Sequence, residues 1–329
     1  MKRLEFVFLL LIGFVFASCE KEEKPVTPAS TTAISVGLGS DYANMVYFDL
    51  FSGEQVLTVL HADWDLNISN DPTQHLIYLN SSNYPFAKNA GVVAFESVTD
   101  TAGPNNWRYD YPSGEAHKAA LQGLFNTDGS TTGQVFILDR GVYSDGTSRG
   151  YYKIRGEEST SASISFRLGS LDGAVDTVIT LLKDVDYRTL TFDIDALNKG
   201  SYEPLSNDWH MSFTQYTDYD LTVEGDTVAY LVRGALINVQ QVTAVRYEGS
   251  KSFDQLTKED ALLEEFSTDL NVIGYDWKYF DFDTGTYITD ETISYFVREK
   301  SGNYYKMRFV GFYNDLGEKG YPMFELKGL

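Results

Sequence analysis

Among 329 residues there is one cysteine, four histidines and a shortage of cations, and each scarcity excludes something. A single thiol cannot build an intrachain disulfide framework or a cysteine-based zinc site. Four scattered histidines leave little for histidine-rich metal chemistry. With 26 Lys and Arg against 47 Asp and Glu, the formal charge is −21. Nucleic acid is therefore excluded as a partner for a broad basic face, since phosphate contacts need clustered cations. Gly37-Leu38-Gly39 lacks the third glycine and the strand–helix setting of a dinucleotide site. No nucleophile elbow or spaced acid pair appears, and the abundant carboxylates read as solvated surface. Asp281-Phe282-Asp283-Thr284-Gly285 lacks the remaining ligands of a calcium loop and reads as a hairpin turn. Composition points to a binding or scaffolding protein that is not an enzyme.

Long apolar runs are absent too, apart from Phe6 to Phe16 behind Met1-Lys2-Arg3. Eleven residues suit the core of an export signal and fall short of the roughly 20 needed to span a bilayer. The run ends in Phe16-Ala17-Ser18-Cys19, small residues before a cysteine, as a bacterial lipoprotein peptidase requires. Residues 1–18 are thus expected to be a signal peptide and Cys19 the lipidated first residue. The charged, Pro/Ser/Thr-rich stretch 19–32 reads as a flexible tether. Glu22-Glu23 resembles the signal that sends some lipoproteins to the outer face of the outer membrane. The expected location is the outer membrane, surface-exposed, with membrane contact through the lipid anchor only, because so acidic a body is not drawn to anionic lipid.

Internal repetition organises the rest. Asp49 in Val46-Tyr47-Phe48-Asp49-Leu50 and Asp193 in Leu190-Thr191-Phe192-Asp193-Ile194 lie 144 residues apart. Trp64 and Trp209 are separated by 145, Gly91 and Gly234 by 143, and Tyr151-Tyr152-Lys153-Ile154-Arg155 and Tyr304-Tyr305-Lys306-Met307-Arg308 by 153. Four marks in one order imply a tandem duplication, with units over 33–180 and 181–329. The repeated segments are rich in β-branched and aromatic residues and are bounded by turn formers such as Asp145-Gly146 and Ser301-Gly302-Asn303. The fold class is mainly β, two related antiparallel units with few short helices. Helical turns are expected only near 117–125 and over 258–266, the latter with Thr257 as N-cap. Alternation puts Trp209, Met211 and Phe213 on a core face and turns His210 toward water or a groove.

The run from Tyr304 to Glu325, together with Ile273-Gly274-Tyr275-Asp276-Trp277-Lys278, resembles the HmuY family of haem-binding lipoproteins. Asp208-Trp209-His210-Met211-Ser212-Phe213 looks like that family's W-D-x-x-F strand, with His210 at the acidic position where the first copy keeps Asp65. The likeness is strong over about 187–329 and weaker, though in register, over 33–180. It implies a mostly β, surface-anchored, non-enzymatic protein that binds haem or another porphyrin and passes it to an outer-membrane transport receptor. Family members hold the iron between two side chains, His in some and Met in others.

Haem needs an apolar slot and one or two soft or imidazole donors. His61 lies just before Trp64 and His210 directly after Trp209, so facing halves could present both rings to one groove. Met211, and Tyr247 in the otherwise donor-free stretch Val239 to Tyr275, complete the haem-binding candidates. The alternative for each histidine is an exposed polar residue at a strand end. Trp107, Tyr109, Tyr111, Trp277, Tyr279 and Phe280 suit either a stacking platform or strand cores. A surface structural, adhesion or glycan-binding lipoprotein that keeps the fold without haem is the competing expectation.

Overall fold

The computed structural model describes residues 33–221 and 227–329, so the expected signal peptide, lipidated Cys19 and tether lie outside the described residues. After β1 (Ile34–Ser35), the first repeat runs β2 (Asn44–Asp49), β3 (Glu54–Leu60), β4 (Leu66–Ser69), β5 (Ile77–Leu79) and β6 (Phe86–Val92). It continues through β7 (Gln134–Asp139), β8 (Tyr151–Ser159), β9 (Ser163–Ser170) and β10 (Asp176–Leu182). The second repeat runs β11 (Thr189–Asp193), β12 (Asn198–Gly200), β13 (Met211–Leu221), β14 (Thr227–Ile237) and β15 (Val242–Tyr247). A small hairpin of β16 (Lys278–Asp281) and β17 (Thr286–Thr289) precedes β18 (Ser294–Glu299), β19 (Tyr304–Tyr313) and β20 (Lys319–Gly328). The architecture is mainly β, as expected. Alternation places the strands: Ile164, Phe166 and Leu168 of β9 all point into one core, with polar residues between them. Helix is confined to short turns, including α1 (Lys258–Ala261), where the Asp260 carboxylate accepts from the Thr257 N–H and hydroxyl. At 117–125 only the 3₁₀ turn Ala116–Lys118 forms.

The strands make two sandwiches. In one, the five-stranded sheet β1-β20-β19-β18-β15 packs on the four-stranded sheet β14-β13-β2-β3 around Phe48, Phe213, Trp277, Phe309 and Phe324. In the other, β10-β9-β8-β7-β6 packs on β12-β11-β4-β5 around Leu66, Phe166, Phe192 and Leu168. Order and register make the two equivalent strand for strand. They also reveal an exchange. The first hairpin of each repeat, β2–β3 or β11–β12, completes the sandwich of the other repeat, pairing with β13 and β4 respectively. The strands of each sandwich therefore come from both sides of residue 180.

Equivalence extends to side chains and explains the repeated motifs. In the Tyr-Tyr-Lys segments, the Lys153 ammonium sits 4.9 Å from the Phe95 ring and donates to the Val98 carbonyl, while Lys306 sits 5.0 Å from Phe253 and donates to the Leu256 carbonyl. Each buried lysine thus pins a 3₁₀ lid onto the outer face of a five-stranded sheet. Asn80 donates to the His61 and Trp64 carbonyls, and Asn238 to those of Ser206 and Trp209. The Gly91 and Gly234 segments are not equivalent. Gly91 lies in β6, whose counterpart is β15, whereas Gly234 lies in β14, whose counterpart is β5. Their similar spacing is coincidental.

Candidate functional site

The outer faces of the two four-stranded sheets turn toward each other. Met45, Tyr47, Trp64 and Trp209 form a small apolar cluster between them, with Trp209 edge-on to Tyr47 at 4.8 Å and Trp64 stacked on Tyr202 at 5.3 Å. Beside this cluster lies a cavity of about 300 Å³, at the small end of ligand sites, which span roughly 300–1,000 Å³. Equivalent residues of the two repeats line it in pairs: Trp64 with Trp209, Tyr78 with Leu236, and Leu79 with Ile237. The cavity therefore straddles the axis relating the copies.

Its polar groups are unevenly satisfied. Asp110 is buried and accepts from the Leu79 and Ala120 N–H groups. Burial pushes its carboxyl up to about 7, against the opposing pull of those two N–H groups. Glu203 accepts from the Thr189 N–H at 3.0 Å and hydroxyl at 2.8 Å. Arg188 reaches Glu203 only at 3.4 Å, lies 5.4 Å over the Trp209 ring, and leaves its buried Nε without a partner. The Trp209 Nε1 is likewise buried and unpartnered, whereas the Tyr216 hydroxyl interacts with the Asp218 carboxylate. An unpaired buried donor costs about 1–3 kcal/mol, so Arg188 and Trp209 mark unused binding capacity.

The residues expected to hold iron lie elsewhere. His61 is buried, with Nδ1 2.9 Å from Asn83 Oδ1 and Nε2 3.1 Å from Gln215 Nε2; burial is the main cause of its lowered pKa. His210 accepts the Leu50 N–H on Nδ1, faces Asp49 Oδ1 at 2.9 Å, and donates through Nε2 to Glu299 at 3.1 Å. Met211 is sealed in a sandwich core, and Tyr247 is half-buried edge-on to Phe296 at 5.7 Å. None of the four lines the cavity, where Met45 is the one sulfur or imidazole donor. His210, just before β13 and expected to face water or a groove, is buried and reaches neither water nor the cavity. Both faces of that sheet are covered, one by its sandwich partner and the other by the second sandwich, so alternation there separates two interiors.

The aromatic candidates divide. Trp277 is fully buried and stacks on Phe309 at 3.8 Å, Tyr279 and Phe280 are exposed, and Tyr111 lines the cavity. Asp281 to Gly285 closes the β16–β17 hairpin, as expected. Asp110, Arg188 and Glu203 escaped the sequence reading because they come from separate segments with no common spacing. The one available signal was Asp110 lying between Tyr109 and Tyr111.

The model of the HmuY protein family matches residues 41–326 of this doubled β architecture. The chain belongs to the HmuY family. No curated protein matches it. HmuY-family proteins are non-enzymatic, and this chain is not an enzyme. Among the described residues no group of three or more His, Cys, Asp or Glu could hold a metal ion.

Proposed function

We propose that the chain is a surface-anchored lipoprotein that captures a ligand for uptake in the cavity between its sandwiches, with haem or a related tetrapyrrole as cargo and an outer-membrane transport receptor as the recipient. One observation carries this reading: an aromatic-walled cavity, built from matching residues of both repeats, keeps buried donors without partners. HmuY-family membership supports tetrapyrroles as the first ligands to test. Haemin titrated into the full chain in detergent should give a saturable shift of the Soret band under oxidising or reducing conditions. Absence of any saturable change removes haem from the proposal.

A second reading keeps the capture site and drops the pigment. It is favoured by the engagement of His61 and His210 in internal hydrogen bonds, which leaves neither imidazole free for iron. In that case the protein serves as an adhesion or glycan-binding lipoprotein. A His61→Ala/His210→Ala variant that folds and binds haemin like the parent excludes iron ligation by that pair.

A further inference from the structure

Resting on the reading of this cavity as the binding place, the hydrogen-bond inventory of its walls specifies the chemistry of the occupant. Two sides of that inventory differ. The carboxylates are already occupied: Asp110 by two backbone N–H groups, Glu203 by the N–H and hydroxyl of Thr189, and Asp71 by the N–H and hydroxyl of Thr73. The buried atoms left over on lining residues are Arg188 Nε and Trp209 Nε1. Both can only donate. Among the buried side-chain atoms of the lining residues no carboxylate or amide oxygen is left over, and the half-buried Asp71 keeps both of its bonds on Oδ1.

We infer that the cavity selects a compact, flat aromatic ligand that presents acceptor oxygens, of the aromatic carboxylate class, and discriminates against one presenting an ammonium. The flat shape follows from the walls, where Trp64, Trp209, Tyr47 and Tyr78 supply ring faces and edges. The size follows from a volume of about 300 Å³, which has room for a whole fused two-ring system or for one edge of a tetrapyrrole. Oxygen acceptors complete the unpaired Nε and Nε1 donors, and Arg188 adds positive charge beside them. Counting formal charges alone gives the opposite answer, because Asp71, Asp110 and Glu203 outnumber Arg188 along the walls. The two rules therefore make contrary predictions for one site.

Calorimetric titration of the full chain in detergent at neutral pH, with 2-naphthoate and with 2-naphthylmethylammonium, decides between them. The expected result is that naphthoate binds at least tenfold more tightly. Arg188→Gln should weaken naphthoate about tenfold and 2-methylnaphthalene, which presents no acceptor oxygen, by less than about twofold, a contrast that a purely structural role for Arg188 would not produce. Filling the cavity with Leu236→Trp, or with Ser212→Leu if the first variant melts early, should abolish both. Equal or tighter binding of the ammonium, lost on filling, overturns the inference and leaves the cavity as the binding place. If neither probe binds, or both bind the filled variants unchanged, the cavity reading falls and the inference with it. Haemin that displaces naphthoate assigns the acceptor oxygens to tetrapyrrole carboxylates, and failure to displace it assigns them to a smaller acid; either supports the acceptor preference.

Discussion

The residue after each repeated tryptophan occupies one place in two sandwiches with opposite chemistry. In the first copy Asp65 accepts the Ile194 N–H and pairs with Arg140, at 2.9 Å from Nε and 3.0 Å from Nη2. In the second copy His210 accepts the Leu50 N–H and donates to Glu299. Strand register makes Ile194 equivalent to Leu50 and Arg140 equivalent to Glu299. Each bridge ties an exchanged hairpin to the sandwich that hosts it. The fold needs a hydrogen-bonded link there, and the direction of charge across the link is free to reverse. Burial differs in consequence. Asp65 holds two guanidinium groups in the interior, Arg140 and Arg149, whereas His210 needs only shared protons.

Removing Asp65 is expected to do the most damage. Asp65→Ala strands the buried Arg149 and leaves Arg140 with Asp195 alone, a loss of about 3–5 kcal/mol, visible as a lower urea midpoint. A near-neutral result would mean that Asp195, which also bonds Arg140, carries the link alone. Asn80→Ala and Asn238→Ala should each cost about 1–3 kcal/mol, since each frees two buried carbonyls. Clearly unequal losses would show that the two junctions no longer bear similar loads. Converting the second bridge to the first, with His210→Asp and Glu299→Arg, should show a favourable coupling of about 0.5–3 kcal/mol in a double-mutant cycle. Additive losses would refute the interchangeability of the two polarities.

Acid and base should separate two carboxyls as well. Burial opposes the ionised form of Asp49, yet the neighbouring His210 ring and hydrogen bonds from the Phe51 and Ser52 N–H groups hold its pKa at about 2. Because that value lies below the unfolded 3.8, its contribution is present above about 4 and lost as pH falls toward 2. Asp110 behaves oppositely. With a folded pKa of about 7 against 3.8 unfolded, it lowers stability progressively as pH rises between those values. Asp110→Asn should flatten the slope of stability between pH 4 and 7, the range set by those two values, and an unchanged slope would place its origin elsewhere.

Much of this was legible from the chain. The tryptophans and the Tyr-Tyr-Lys segments marked the duplication because each does the same local job twice, and strand patterns gave the class of fold. The exchange of hairpins was not legible, because β2 and β11 carry such similar sequences that each suits either partner. His210 misled because a sheet covered on both sides leaves no wet face for alternation to mark. Asp110 and Glu203 hid among 47 acidic residues, where surplus charge suggests surface. The cavity itself arises where segments far apart in sequence meet, and no spacing rule reports such a meeting.

The exchange bears on how the protein is made. The first sandwich lacks two strands until residues 189–200 have emerged, and β1, among the earliest segments synthesised, waits for β20, the last. The sandwich built from β4 to β12 can close once residue 200 is available, whereas the one that joins β1 to β20 closes only with the whole chain, so the two halves finish at separate times.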